Sequence, residues 1–178
     1  MKSPSRFWWI AATVLLLGLL WIGLTVRLFP NTHANIPAPR PGFLAPDFEI
    51  PDLQGNLVQL SNLRGQIVLI NFWATWCPPC QAEMPALQAI YAEYQPYGFT
   101  ILGVNASSSE VISTVPGFVA ERGLTFPILL DEKGQAANGY QVTSLPTSFL
   151  VGRDGIIQQA FIGPINESTL RSWLNEAQ

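Results

Sequence analysis

The hydrophobic pattern begins with one long apolar stretch and continues as short apolar runs separated by polar turns. The long stretch is uncharged from Phe7 to Val26, and as a helix it is long enough to cross a hydrocarbon core of roughly 30 Å. A cleavable signal peptide has a shorter apolar region of about 7 to 15 residues. We therefore predict an uncleaved transmembrane signal anchor at residues 7–29, with cleavage near residues 32–34, T-H-A, as the alternative.

Prolines dominate the segment that follows the apolar stretch. Residues 30–46 contain five of them, too many for a helix or a central strand. Such a composition is typical of a semi-extended spacer. We predict a linker at residues 30–45 and a folded domain at residues 46–178.

The first half of this domain has the pattern of a hairpin followed by a β-α-β unit. The runs F-E-I and L-V-Q-L flank D-L-Q-G-N, a turn sequence, and predict the hairpin. Ile67–Phe72 and Phe99–Val104 are almost wholly apolar, as in strands buried on both faces. Helical periodicity lies between them, with Pro85 inside it predicting a kink. The order predicts parallel pairing of the two strands.

The second half of the domain adds further strands and helices. We predict a helix at residues 110–122 that Pro116-Gly117 starts or breaks, a strand at 127–130, and strands at 148–151 and 156–162 around the turn G-R-D-G. Asn166 is the expected cap of a last helix, whose inward face is Leu170, Trp173 and Leu174. These elements predict an α/β fold, with a mixed sheet covered by helices on both faces.

Charge is distributed unevenly along the chain. Residues 1–40 carry four Lys or Arg and no acid, whereas residues 41–178 carry five Lys or Arg and twelve acids, a net charge of −7. An acidic body argues against a nucleic-acid partner. Lys2 and Arg6 precede the apolar stretch, which favours cytoplasmic residues 1–6 and an exported domain.

The only cysteines, Cys77 and Cys80, lie in W-C-P-P-C. A purely structural disulfide between cysteines so close in sequence would remove little conformational entropy from the unfolded state. Two thiolates supply half of a four-ligand metal shell, and the sole histidine, His33, lies outside the domain, so we expect no metal. A redox pair fits better, because a helix N-terminus after a buried strand favours the thiolate of Cys77. We predict Cys77 as the accessible nucleophile and Cys80 as the shielded resolving thiol.

The two prolines between the cysteines affect this chemistry. If Cys77 is the helix N-cap, Pro78 and Pro79 occupy the first two helical positions and neither has an N–H group. The thiolate then depends on the N–H groups of Cys80 and Gln81, one donor fewer than with glycine at position 78. A lost donor destabilises the dithiol and lowers the reduction potential, which favours a reductant.

Several motifs, in order, resemble one family. They are A-P-D-F-E-I, R-G-Q-I-V-L-I-N-F-W-A-T-W-C-P-P-C-Q-A-E-M-P, G-F-T-I-L-G-V and S-L-P-T-S-F-L-V-G-R-D-G, all within residues 44–177. They resemble the membrane-anchored, thioredoxin-like thiol-disulfide oxidoreductases of the TlpA, ResA and DsbE type, which are related to AhpC/TSA redoxins. The resemblance implies a thioredoxin fold with an N-terminal β-hairpin extension and a central helix-strand insertion at about 108–130.

The resemblance also implies residues that contact the substrate. Pro146, in L-P-T, would be a cis-proline beside the sulfurs, and together with Leu145 it would hold a substrate chain through backbone groups. An ordinary turn proline is the alternative. Trp76 would cover the site, unless it is a core aromatic residue.

One position departs from thioredoxins proper. Those proteins have a buried aspartate where this chain has Asn71, which cannot accept a proton. Glu83, three residues after Cys80, is an acid that TlpA-like proteins commonly have near this site. We expect Glu83 to help deprotonate Cys80. The alternative is that Glu83 only complements the helix dipole.

The sequence thus favours an exported, membrane-tethered protein-disulfide reductase, with apocytochrome c before haem attachment as a substrate that the resemblance suggests. The motif G-x-G-x-x-G, which would bind a nicotinamide or flavin cofactor, is missing, and no cofactor is expected. Electrons would therefore come from a membrane thiol donor. A general disulfide oxidant and a peroxiredoxin-like peroxidase are alternatives. A peroxiredoxin needs threonine three residues before the reactive cysteine, where this chain has Ala74, and Thr75 is only two residues before Cys77. A copper chaperone would need CxxxC and a downstream histidine.

Overall fold

The computed structural model describes residues 5–28, 36–106 and 111–176. The chain divides into two units, Met1–His33 and Ala34–Gln178. Five parts of the sequence-based predictions lie outside the described residues: positions 1–4 of the N-terminus, residue 29 of the anchor, the start of the spacer with His33, the start of the insertion at 108–110, and residues 177–178 of the domain.

The first unit holds helix α1, which spans Ser5–Leu28 and is 24 residues long. The predicted apolar segment is therefore helical over nearly its whole length. Its large apolar side chains are exposed, among them Trp8 and Leu15. Among the helices that the structure describes, none meets the combined criteria of length and hydropathy for crossing a membrane.

The first two strands of the second unit form the predicted hairpin. Strand β1 spans Glu49–Pro51 and pairs antiparallel with β2, Leu57–Gln59. Asp52 closes the turn, since its Oδ1 accepts the backbone N–H groups of Gln54 and Asn56 at 2.8 and 2.9 Å. Aspartate is favoured at such positions because its short side chain can hydrogen-bond the backbone ahead of it.

The remaining strands form one mixed sheet. They are β3 Ile67–Trp73, β4 Phe99–Asn105, β5 Ile128–Leu130, β6 Thr147–Val151 and β7 Ile157–Ile162. Their order is β5-β4-β3-β6-β7. β4 is parallel to both β3 and β5, whereas β6 is antiparallel to both β3 and β7. The predicted parallel unit and the closing hairpin are confirmed.

Four α-helices of the second unit are described: α2 Pro78–Tyr94, α3 Val115–Glu121, α4 Gln135–Gly139 and α5 Glu167–Glu176. Pro116 stands in the first turn of α3, so the Pro-Gly pair starts this helix. Asn166 caps α5 as predicted, and its Oδ1 accepts the N–H of Thr169 at 2.9 Å. The sequence did not predict α4, whose start is held by the carboxylate of Asp131 through the N–H groups of Ala136 and Ala137.

Both faces of the sheet are covered, and therefore every residue of β3 is buried. Alternate side chains of a strand point to opposite faces. On one face the odd-numbered positions pack against α2 and α5, through Leu69, Trp73, Met84, Leu87 and Leu170. On the other face the even-numbered positions pack against the β1–β2 hairpin and α4, through Ile70, Phe72, Phe48, Ile50 and Tyr140.

The folded domain begins before the predicted boundary at Pro46. The N–H groups of Gly42 and Ala45 donate to the carbonyls of Ile157 and Gly155, and the N–H of Ile157 donates to the carbonyl of Phe43. The last part of the expected linker is thus joined to the start of β7, because backbone groups on a sheet edge need partners.

Candidate active site

Cys77 lies where β3 gives way to α2. Its backbone is extended, with φ −92° and ψ 103°, and it is the N-cap of α2. The following residue, Pro78, keeps Cys77 out of helical dihedrals while beginning the helix itself. The backbone N–H of Cys80 donates to Cys77 Sγ at 3.3 Å. The local sequence alone is therefore enough to put the first sulfur at the helix N-terminus.

The two sulfurs are joined. Cys77 and Cys80 form a disulfide with an S–S distance of 2.06 Å and Cα atoms 5.3 Å apart. The structure therefore represents the oxidised state of the pair. Reduction of this bond would yield two thiols, one at the helix N-terminus and one in its first turn.

The N–H donors around Cys77 are fewer than the sequence suggested. The N–H of Gln81 donates to the carbonyl of Cys77 at 3.0 Å, and not to its sulfur. The reason is that position 81 already belongs to the regular hydrogen-bond ladder of α2. The Gln81 side chain instead donates to the carbonyl of Thr75 at 2.6 Å and accepts from Arg122 at 3.2 Å.

Accessibility of the sulfurs also differs from the prediction. Cys80 is fully buried, but Cys77 is only 3% exposed in the disulfide form, so the expected accessible nucleophile is largely covered. Cys77 reaches solvent through a cleft of about 530 Å³, lined among others by Trp76, Pro79, Lys133, Asn138 and Leu145. Trp76 is 56% exposed and is therefore not a core aromatic residue.

The loop before β6 lies at the same cleft. The peptide bond between Leu145 and Pro146 is cis, the isomer expected from the resemblance. The next residue, Thr147, pairs with Phe72 near the end of β3. The carbonyl of Pro146 accepts the N–H of Gly163 at 2.9 Å, which ties this loop to the end of β7. The β3–β6 pairing thus brings together two motifs that are distant in sequence.

Glu83 lies on α2, one turn after Cys80, and is buried, with only 3% of it exposed. Its Oε1 accepts from Asn71 Nδ2 and its Oε2 accepts from the N–H of Ile165, both at 2.8 Å. Burial raises the pKa of Glu83 to about 7, and the hydrogen bonds from Ile165 and Asn71 oppose that rise. The donors lie outside α2, and Glu83 is the sixth residue of that helix, so the carboxylate does not cap the helix N-terminus.

Asn71 connects Glu83 to the sheet. It is fully buried on β3 and faces Ser148 of β6 in the strand register. Its Nδ2 also donates to Ser148 Oγ at 2.9 Å. Ser148 and the Ile165 N–H were missed by the sequence reasoning. The only available signal was the position of Ser148 two residues after Pro146, and its contact with Asn71 depends on strand pairing.

A redox pair at a helix N-cap, next to a cis-proline loop on a mixed sheet, defines a thioredoxin-like thiol-disulfide oxidoreductase. Comparison with known proteins agrees. The chain is similar to a Chlorobium tepidum protein described as the thiol:disulfide interchange protein DsbE, with 32% identity, TM-score 0.72 and coverage of 78% of this chain and 97% of that one. It is also similar to StoA from Bacillus subtilis, with 33% identity, TM-score 0.65 and coverage of 74% and 98%.

The relationship extends to the sequence level. Residues 41–160 match the AhpC/TSA family. The thiol-disulfide oxidoreductase ResA of Geobacillus thermodenitrificans is 37% identical over 174 residues, which is 98% of this chain and 97% of the relative. The chain belongs to the AhpC/TSA family, and within it to the redoxins of the TlpA, ResA and DsbE type. Its activity is thiol-disulfide exchange at the only cysteine pair in the chain.

Proposed function

We propose that this protein is a membrane-anchored, extracytoplasmic protein-disulfide reductase, and that apocytochrome c before haem attachment is among its substrates. The observation that carries the proposal is the position of Cys77: it is the N-cap of α2 and lines the same cleft as Leu145 and Trp76. A substrate chain bound along the cis-proline loop would present its disulfide to this sulfur.

The exchange proceeds in two displacement steps. In the reduced protein, the Cys77 thiolate attacks one sulfur of the substrate disulfide, forming a mixed disulfide and releasing the first substrate thiolate. The Cys80 thiolate then attacks Cys77 Sγ, which forms the observed Cys77–Cys80 bond and releases the second substrate thiolate. Two electrons pass from the dithiol to the substrate, and a membrane thiol donor returns them.

Glu83 is the proposed proton acceptor for Cys80. Cys80 is fully buried, so its proton has no direct route to solvent. Glu83 is one turn further along α2, and its pKa of about 7 lets it exist in both protonation states at neutral pH. A base is most effective when its pKa is close to the working pH. These properties support proton transfer from Cys80 to Glu83 during the second displacement.

The proposed location rests on the first 40 residues. The stretch Phe7–Val26 is uncharged, α1 extends over Ser5–Leu28, and the basic residues that precede the stretch favour a cytoplasmic N-terminus. Exchange chemistry also suits an extracytoplasmic compartment, where protein disulfides form and persist. We propose residues 7–29 as the anchor and the domain as its exported part.

The decisive experiment traps the substrate. In a Cys80→Ser variant, the first displacement still forms a mixed disulfide on Cys77, but the second cannot occur. Partners released by reductant would then be identified, with a Cys77→Ser, Cys80→Ser double variant as the control for non-covalent capture. Apocytochrome c among the partners supports the haem-maturation proposal. A broad set of envelope proteins without it would leave a general reductase, and no trapped protein at all would contradict the function.

A further inference from the structure

The hydrogen bonds of the Asn71 amide are distributed unevenly. Its Nδ2 donates to both Glu83 Oε1 and Ser148 Oγ, at 2.8 and 2.9 Å. Its Oδ1 is buried and has no hydrogen-bond partner among the described residues. A buried amide oxygen without a partner is unfavourable, because it has lost its hydrogen bonds to water. This arrangement suits a carboxylate, which only accepts, but not a carboxylic acid, which must also donate.

The neighbouring groups fix where a proton on Glu83 would sit. Oε2 faces the backbone N–H of Ile165, which can only donate. A proton taken up by Glu83 therefore belongs on Oε1, the oxygen that faces Asn71. With Nδ2 in its present place, that proton would meet another donor. The mismatch disappears if the two ends of the Asn71 amide change places.

We propose that the Asn71 amide turns by about 180° around its Cβ–Cγ bond as Glu83 gains or loses a proton. Beside the carboxylate, Nδ2 donates to Glu83 and Ser148. Beside the carboxylic acid, Oδ1 takes the same place and accepts from both. The Ser148 hydroxyl serves in either orientation, since a hydroxyl can donate or accept. Each state thus makes two hydrogen bonds, and one atom of the amide is unpartnered in each.

The groups that hydrogen-bond Glu83 are uncharged and do not oppose this turn of the Asn71 amide. Asn71 approaches from β3, Ser148 from β6 and Ile165 from the segment before α5, and none of them is charged. On α2, Cys80 is held in the disulfide. On α5, Arg171 forms ion pairs with Glu93 and Glu167. Within the described residues, Glu83 itself forms no ion pair.

Asn71 is therefore a positioning residue that acts through Glu83, and its relevance to exchange rests on the proposed role of Glu83. Aspartate at this position could not alternate in the same way, because an ionised carboxylate has no proton to donate. The amide allows Glu83 to be either acid or base without losing a hydrogen bond. A proton can then move between Cys80 and Glu83 while Asn71 keeps two hydrogen bonds in either state.

The test is an NMR titration of the full-length, oxidised protein, in which the cysteines do not titrate. Contacts between Asn71 and Ser148 are measured as nuclear Overhauser effects between the Asn71 NH₂ protons and the Ser148 β-protons. They should be strong above the midpoint of the Glu83 titration and weak below it. In Glu83→Gln they should not change with pH. Unchanged contacts in the wild type, while the Glu83 carboxyl carbon titrates, would overturn the proposal. This measurement needs no substitution at Asn71.

A second variant distinguishes an alternating amide from a fixed donor. Because Asn71 hydrogen-bonds both states of Glu83, Asn71→Leu should move the titration midpoint of Glu83 by less than about half a pH unit. If the amide only donates, the midpoint should instead rise by about one pH unit or more, which would contradict the inference. Failure of the Glu83 role itself is recognised separately, as wild-type resolution kinetics in Glu83→Gln.

Discussion

At the scale of single residues, the active site combines a largely covered sulfur, Cys77, with a buried acid, Glu83. Cys77 lines the cleft. Glu83 is buried on α2 and accepts hydrogen bonds from Asn71 of β3 and from the Ile165 N–H before α5. Burial is the largest cause of its raised pKa. A carboxyl group in this setting is expected to affect both the exchange reaction and the stability of the protein.

Replacing Glu83 with Gln should slow the second displacement. If Glu83 accepts the proton of Cys80, the rate of mixed-disulfide resolution should fall by about 10²-fold, the low end for a general base. The wild-type rate should rise with pH through about 7 as Glu83 ionises, and this step should be missing in the variant. Stopped-flow measurement with a mixed disulfide on Cys77 reports it. Glu93→Gln, an exposed position on the same helix, is the control and should leave the rate unchanged.

Glu83 should also make stability depend on pH. Its pKa is 4.5 when unfolded and about 7 when folded, so the unfolded chain releases the proton first as the pH rises. The free energy of unfolding should therefore decrease between pH 4.5 and pH 7, by about 3 kcal/mol, and then level off. Denaturant titration at several pH values measures this. The free energy of unfolding of the wild type, minus that of Glu83→Gln, should decrease over the same pH range. If the two proteins instead show parallel pH dependence, Glu83 is not the cause of the decrease.

The prolines should control the reduction potential, and the structure indicates which one matters more. An N-cap side chain accepts from the second or third helical N–H. In α2 the third is Cys80, which donates to Cys77, and the second is Pro79, which has no N–H. Pro79→Ala should thus stabilise the Cys77 thiolate and raise the potential by about 30 mV, for a gain of about 1.4 kcal/mol. Equilibration with glutathione measures it.

Pro78→Ala provides the matched control, because the N–H it restores is at the first helical position and does not point at the cap. Its potential should stay near that of the wild type. Equal shifts in the two variants would mean that general flexibility, and not the added donor, determines the potential.

At the scale of elements, most of the sheet and its main helices could be predicted from periodicity, because strands and helices bury side chains at fixed spacings. The hairpin β1–β2, the parallel strands β3 and β4, and the cap of α5 all follow from local patterns. Helix α4 was missed because it has only five residues and because Asp131, whose carboxylate holds its start, lies four residues before it. The docking of residues 42–45 on β7 was missed because prolines alone suggest an extended spacer.

The cap of α5 should be important for stability, since it also fixes the segment that carries the Ile165 N–H. Asn166→Ala removes the acceptor for the N–H of Thr169 and should lower the free energy of unfolding by about 1 kcal/mol. Asn175→Ala, an exposed position near the other end of α5, should change it by less than about 0.5 kcal/mol. Equal losses in chemical denaturation would argue against the capping role.

At the scale of the whole molecule, the chain divides into two units. The exchange chemistry lies in Ala34–Gln178, and the proposed anchor lies in Met1–His33. Removal of residues 1–33 should release the protein from the membrane fraction while its rate with a small disulfide substrate stays unchanged. Fractionation and a thiol-release assay test both outcomes. Full-length protein that is already found in the soluble fraction would contradict the anchor.

Features that depend on neighbours in the chain could be predicted from the sequence: the order of the main strands and helices, and the placement of Cys77 and Cys80 at the start of α2. These follow from hydrophobic spacing and from the fixed dihedrals of proline. The exposure of Cys77 and the groups that surround Glu83 depend instead on how distant segments pack together. Asn71 meets Ser148 through the pairing of β3 with β6, and Glu83 meets the Ile165 N–H across 82 positions of the chain. Contacts between distant segments arise from packing, which no local pattern encodes.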